Sequence, residues 1–354
     1  MQGKPTIMKI HVPFRLMQVT LALTVLTTGC SGPAQVPETA PVADAGHIQN
    51  VRLGAKTGEL LVTICRSGEP EHCTLTLANI DRRDATEYTV PAGGSIKDAS
   101  IAGDEVLAVV VGAQADKQGN HPSTIVSFSP GKDAMTVRRR DTAEMRFPTE
   151  ANGRLMFWRR DCRSAAERYC QHDLFEQTRS AAIAPVGASH RFAEVDAIVP
   201  RLPEVIVNAS YPADGVADGD RYLEYAGATS AWRLAPGQPF GLARLAGDKE
   251  VIKAMAIPGG LLLLAQDNSG IALFREVGRK LERVAGLPTA TKDMDALVVR
   301  DVAVSADGHH LAMIVGASDS TRPASLFMLD LPTRIWRTVD PASLVVRHRI
   351  VLKE

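Results

Sequence analysis

Val302-Ala-Val-Ser-Ala-Asp-Gly-His-His-Leu-Ala-Met-Ile-Val315 is the stretch on which the fold of this chain turns. A short apolar run, the turn pair Asp307-Gly308 and a second, wholly apolar run describe a hairpin of two strands. The second run does not alternate polar with apolar residues, which is the pattern of a strand covered on both faces. Similar apolar runs recur at Leu60–Cys65, Val106–Val111, Leu155–Trp158, Val205–Ala209 and Leu261–Ala265. With Leu311–Val315 their starts lie 46, 49, 50, 56 and 50 residues apart. Third strands follow at Thr74–Leu77, Thr124–Phe128, Asp173–Phe175, Tyr222–Tyr225, Ile271–Phe274 and Ser325–Leu329. Fourth strands include Ala231–Leu234 and Ile335–Thr338, each with a Trp-Arg pair.

Four short strands in every unit of roughly 45–50 residues, with few helix signals, predict an all-β chain. The expected fold is a six-bladed β-propeller of four-stranded antiparallel blades over residues 47–354. The Ser-Ala-Asp-Gly turn at 305–308 resembles the Ser-Pro-Asp-Gly turn of TolB-like and other WD-like propellers, with Ala306 in place of Pro. That resemblance implies an architecture and no activity. Leu344–Leu352 is one strand more than six quartets need, and is read as a strand across the seam between first and last blades.

Composition narrows the function classes. Lys and Arg total 40 against 40 Asp and Glu, with no basic surplus of the kind a nucleic-acid binder needs. Apolar residues make 45% and charged residues 23%, the profile of a packed globular chain. No apolar run reaches the roughly 18 residues of a spanning helix.

Residues 1–29 carry Lys4, Lys9 and Arg15 and no acid, followed by an apolar stretch that ends in Leu26-Thr-Thr-Gly-Cys30. This pattern predicts an export signal. It resembles the lipobox of bacterial lipoproteins, with Thr27 where that family favours a branched aliphatic residue. The resemblance implies that residues 1–29 are a lipoprotein signal peptide, and that Cys30 becomes a lipidated first residue. It further implies a membrane-anchored, periplasmic address at the outer membrane, since Ser31 rather than Asp follows the cysteine. Plain cleavage without lipidation is the alternative. Residues 30–46 then form a lipidated Cys and a Pro- and Ala-rich tether, at about 3.1 Å per residue if extended.

The remaining four cysteines form two matching pairs, Cys65/Cys73 and Cys162/Cys170. Both segments begin Cys-Arg-Ser and hold seven intervening residues. Each is flanked by strand-like runs, so each pair is expected to staple a hairpin as a disulfide, contributing roughly 2–3 kcal/mol. The spacing suits no zinc site, although His72 and His172 lie nearby.

First strands line a propeller's channel. Aligned on the turn, they place Asn50, Asp98, Arg146, Asp196, Lys253 and Asp301 at one position. Three carboxylates there could hold a divalent cation. Alternating signs favour the other reading, a circle of ion pairs. Arg138, Arg139, Arg140, Arg159 and Arg160 form a candidate basic patch, interleaved with acids that would neutralise it. Asp214–Asp220 is an acidic loop without calcium-loop spacing. No nucleophile elbow, metalloprotease helix, phosphate loop or dinucleotide fingerprint occurs, so no catalytic residue, resident metal or cofactor is expected. The sequence therefore points to a non-catalytic scaffold for another envelope protein or cell-wall component. The alternative is a metal-dependent propeller hydrolase or lyase acting at the channel mouth.

Overall fold

The computed structural model describes residues 47–354 except 55–57, 67–68, 92–93, 118–119, 162–170, 179–181, 187–191, 193, 202–203, 211–229, 235–241, 245–249, 268, 279, 292–296 and 318–323. Cys30, Cys162, Cys170, the third strand expected at Tyr222–Tyr225 and the acidic loop Asp214–Asp220 lie outside the described residues. The chain divides into Met1–Ala43 and Asp44–Glu354, and all that follows concerns the second unit.

That unit is a β-propeller. The first sheet holds β1 (His47–Leu53), β2 (Glu59–Arg66), β3 (Glu69–Asn79) and β4 (Asp84–Thr89). The second holds β5 (Gly94–Ala102), β6 (Glu105–Gly112), β7 (Ser123–Phe128) and β8 (Thr136–Asp141). The third holds β9 (Glu144–Ala151), β10 (Arg154–Asp161), β11 (Gln171–Gln177) and β12 (Ile183–Pro185). The fourth holds β13 (Glu194–Arg201), β14 (Glu204–Ser210), β15 (Ser230–Leu234) and β16 (Leu242–Arg244). The fifth holds β17 (Glu250–Ile257), β18 (Gly260–Asp267), β19 (Gly270–Val277) and β20 (Lys280–Gly286). The last holds β21 (Leu297–Val304), β22 (His310–Ala317), β23 (Ser325–Asp330) and β24 (Ile335–Thr338).

Five sheets are four-stranded antiparallel blades, where the sequence predicted six. The first sheet departs because the C-terminal strand β25 (Val346–Val351) pairs with β4 in parallel and makes it five-stranded and mixed. In this way the tail crosses the seam on the outside. A second correction concerns Ala231–Leu234. It pairs with β14 as a third strand, not a fourth, and Leu242–Arg244 is the fourth. The long segment between Ser210 and Ser230 displaced the sequence count by one strand.

The apolar second strands have a direct physical reason. Each sheet packs between two neighbours, so alternate residues of a second strand enter different cores. Leu60 and Val62 join Ala312 and Ile314 of the last sheet, whereas Leu61 joins Ile96 and Ala108 of the second. Val109 meets Met145 and Phe157, and Trp158 meets Ile198 and Val207. Ile206 meets Leu261 and Leu263, and Leu264 meets Met313 and Val315. The cores therefore close a circle, each fully buried aliphatic contributing about 1.5–3 kcal/mol. First strands neighbour first strands around the centre, including β1 beside β21 at the seam.

Turn chemistry follows the sequence. Asn152 and Gly153 both have positive φ (52° and 71°), as a two-residue hairpin turn between β9 and β10 requires. Gly308 has φ 73°, and a Cβ there would lie 2.8 Å from Pro258 Cδ of the adjacent sheet's turn. Cys65 and Cys73 face each other across β2 and β3 and are joined by a disulfide.

Candidate functional site

All six first strands carry a β-bulge near mid-length. The register slips between Ile48 and Asn50, Ile96 and Asp98, Val195 and Ile198, Val251 and Lys253, and Val299 and Asp301. On β9 the slip lies just after Arg146, where Phe147 has φ 49°. A bulge inserts a residue and re-aims its neighbours. The six aligned polar positions thus sit at equivalent irregularities of the strands around the channel.

Two linked clusters result. In the first, Asn50 Nδ2 donates to Asp98 Oδ1 at 3.2 Å and Arg146 Nε donates to Asp98 Oδ2 at 2.6 Å. Arg146 also meets Glu144 Oε1 at 3.2 Å, and Arg160 meets Glu144 Oε2 at 2.8 Å. In the second, Lys253 Nζ lies 3.0 Å from Asp196 Oδ2 and also pairs closely with Asp301. Arg52 binds Asp301 Oδ2 at 2.7 Å, and the Val51 amide donates to the same oxygen at 2.8 Å, which carries the network across the seam.

Burial sets the electrostatics. Asp301 is 2% exposed and Lys253 4%. Desolvation alone would raise the Asp301 pKa, but Lys253 and Arg52 outweigh it and hold the carboxyl below its ordinary value. Burial likewise opposes charge on Arg52 and Arg146, and their carboxylate partners win, raising both guanidinium pKa values. Glu144 is desolvated yet kept low by Arg146 and Arg160. Four carboxylates (Asp98, Asp196, Asp301 and Glu144) meet four cations (Arg52, Arg146, Lys253 and Arg160). Every carboxylate is ion-paired, so the arrangement has no surplus negative charge to attract a divalent cation. Among the described residues, no group of three or more His, Cys, Asp or Glu is placed to hold a metal ion.

The alignment of first strands did not include Arg52 or Glu144. The signal for both was strand periodicity, since each stands two residues from an aligned position and so shares its face. On one side of the charged layer the channel forms a cavity of about 380 Å³ lined by Arg52, Lys253 and many small apolar groups, among them Ala99, Ala197 and Ala303.

The basic patch is internally paired. Arg138 meets Glu150 at 2.8 Å, Arg139 meets Asp141 at 3.5 Å, and Arg140 meets Glu354 at 2.6 Å. Arg159 meets Asp141 at 3.3 Å and stacks near Phe175, while Arg160 is bound to Glu144. His309 stands exposed beside Asp307. Trp158 is buried edge-on to Phe192, and Trp336 Nε1 donates to Gly286 O of the neighbouring sheet, so both serve packing.

No protein-family model matches the chain, and no curated protein sequence does. Among solved structures, the β-propeller domain of the trilobed protease from Pyrococcus furiosus covers 83% of this chain and 84% of its own. Its TM-score is 0.48 at 10% identity. Uncomplexed acylaminoacyl peptidase from Pyrococcus horikoshii gives 0.49 at 12%, covering 83% of this chain. The present chain spans less than half of that peptidase, 45% of its length. Oligogalacturonate lyase from Vibrio parahaemolyticus gives 0.48 at 11%, over 83% of this chain and 77% of that one. Such likeness extends to the fold alone.

Proposed function

We propose that this chain is an exported lipoprotein, held through Cys30 to the periplasmic face of the outer membrane. Its propeller is a non-catalytic scaffold that docks another envelope protein or a cell-wall component. The observation that carries the non-catalytic reading is the pairing of Asp98, Asp196 and Asp301 with Arg146 and Lys253. Among the described residues, each of these three channel carboxylates is ion-paired rather than left as a free acid, base or ligand. The lipobox-like Leu26–Cys30 segment supports the anchor. Among the described residues no helix is long and apolar enough to cross a membrane.

The test is made in intact cells. The full chain should incorporate labelled fatty acid and sediment with outer membranes, and Cys30→Ser should abolish both. Chemical crosslinking should then capture one envelope component reproducibly with the anchored chain. An unlabelled, soluble chain refutes the anchor, and the absence of any crosslinked component refutes the docking role.

A further inference from the structure

The channel cavity opens toward the turns that join first strands to second, where Gly103 and Ala306 line it. Its base is the charged layer, in which Lys253 and Asp301 are buried. The volume of about 380 Å³ falls within the range typical of small-ligand pockets. Two residues beyond each aligned channel position stand Arg52, Ser100, Pro148, Ile198, Met255 and Ala303. All six line the cavity, and Arg52 is the one charged member of the set.

The other polar side chains of the wall are spent within it. Ser100 Oγ donates to Pro148 O, and Thr149 Oγ1 donates to Phe147 O at 3.4 Å. Lys253 Nζ is taken by Asp196 and Asp301. Arg52 differs, with its side chain 17% exposed. Its Nη1 donates to Asp301 Oδ2 at 2.7 Å and to Val51 O at 2.6 Å, whereas Nε and Nη2 donate to no described group. Those N–H groups remain for an acceptor in the cavity. Charge decides which acceptor fits. Each layer cation already meets a carboxylate, and burial at Arg52 is outweighed by Asp301, Asp196 and Asp98, which raise its pKa. A ligand carboxylate would place a further negative charge beside them in an apolar recess, at the cost of its hydration. A neutral carbonyl oxygen takes the same N–H groups without that cost.

We propose that this cavity binds a small uncharged molecule with an aliphatic body and one carbonyl. The oxygen accepts from Arg52, and the body lies against Ile198, Met255 and Ala303. The site is independent of the docking role, and either can fail alone. The purified full chain is titrated with octanamide, octanoate and acetamide, and binding is followed in the ligands' NMR signals. Octanamide should bind saturably, octanoate about tenfold more weakly, and acetamide not at all. Ala256 lines the cavity at an exposed position, so Ala256→Trp should fill the space and weaken octanamide by about tenfold or more. Ala184→Trp, an equal gain in volume on the exposed β12, should leave binding unchanged, with both variants unfolding at the parental midpoint. Arg52→Lys keeps a cation for Asp301 but loses the spare guanidinium donors, and should also weaken octanamide about tenfold. Absence of saturable octanamide binding overturns the proposal. So does octanoate or acetamide binding as tightly as octanamide, full affinity in Arg52→Lys, or equal effects of the two tryptophan substitutions.

Discussion

Asp301 concentrates the residue-scale energetics of the channel. Its two oxygens serve Lys253, Arg52 and the amides of Val51 and Val302, and almost none of it meets solvent. Asp301→Ala would leave two cations facing a desolvated void, and breaking such a pair costs about 3–5 kcal/mol. Denaturant titration should show that loss at neutral pH. The folded-state pKa of Asp301 is depressed, so its contribution is complete above the unfolded value near ~3.9 and fades as pH falls below it. The variant's deficit should therefore shrink on the acid side of that value. His172 acts in a different window. It is buried, Nδ1 has no hydrogen-bond partner, and burial with Arg146 and Arg160 nearby pushes its pKa down to about 4. Between an unfolded value near ~6.5 and about 4, the unfolded chain binds a proton that the folded chain refuses. Stability should thus fall as pH drops through that interval, by about 3 kcal/mol in all. His172→Phe should flatten that slope. An unchanged slope would place the proton elsewhere.

At the scale of single elements, the tail carries the most testable role. β25 adds to the outer edge of β4, Leu352 is fully buried in the core between the first two sheets, and Lys353 exchanges backbone hydrogen bonds with Asp133 and Met135. Nine residues thus strap the last sheet's exit to the first and second. Leu352→Ala should cost about 2–5 kcal/mol by cavity formation. Removal of residues 346–354 should cost at least as much and expose the β4 edge to association. Both can be read from unfolding midpoints and scattering, and a truncated chain as stable and monomeric as the parent would contradict the strap. Elements were legible where physics made them insistent. Two-sided burial wrote the second strands as unbroken apolar runs, and Asp307-Gly308 marked the turn of the last sheet's first hairpin. The fourth sheet was misread because Trp232-Arg233 mimicked Trp336-Arg337 while standing one strand earlier. The bulges left no mark, since they arise from register between strands rather than from any residue type.

For the whole molecule, the alternating core clusters explain why the repeat survives as a spacing with little shared sequence. Each sheet needs two apolar faces of the right width, and many residues supply that. The aligned channel positions were legible from the same spacing, with separations of 48 between Asn50 and Asp98 and between Lys253 and Asp301. Their alternating signs already favoured ion pairs over a metal site, whereas the partners Arg52 and Glu144 lay outside the alignment and came to light only once neighbours were placed. Here the neighbours are Arg52, Arg146, Arg160 and Lys253, and within two clusters each carboxylate meets a cation. The most direct check is the unfolding midpoint of the purified chain with chelator and then with excess magnesium, calcium, manganese or zinc. A ligand that binds the folded state raises the midpoint by mass action. An unchanged midpoint in every cation is the expected result. A saturable rise with one of them, abolished by Asp196→Ala, would show that the channel is a metal site and overturn the scaffold reading.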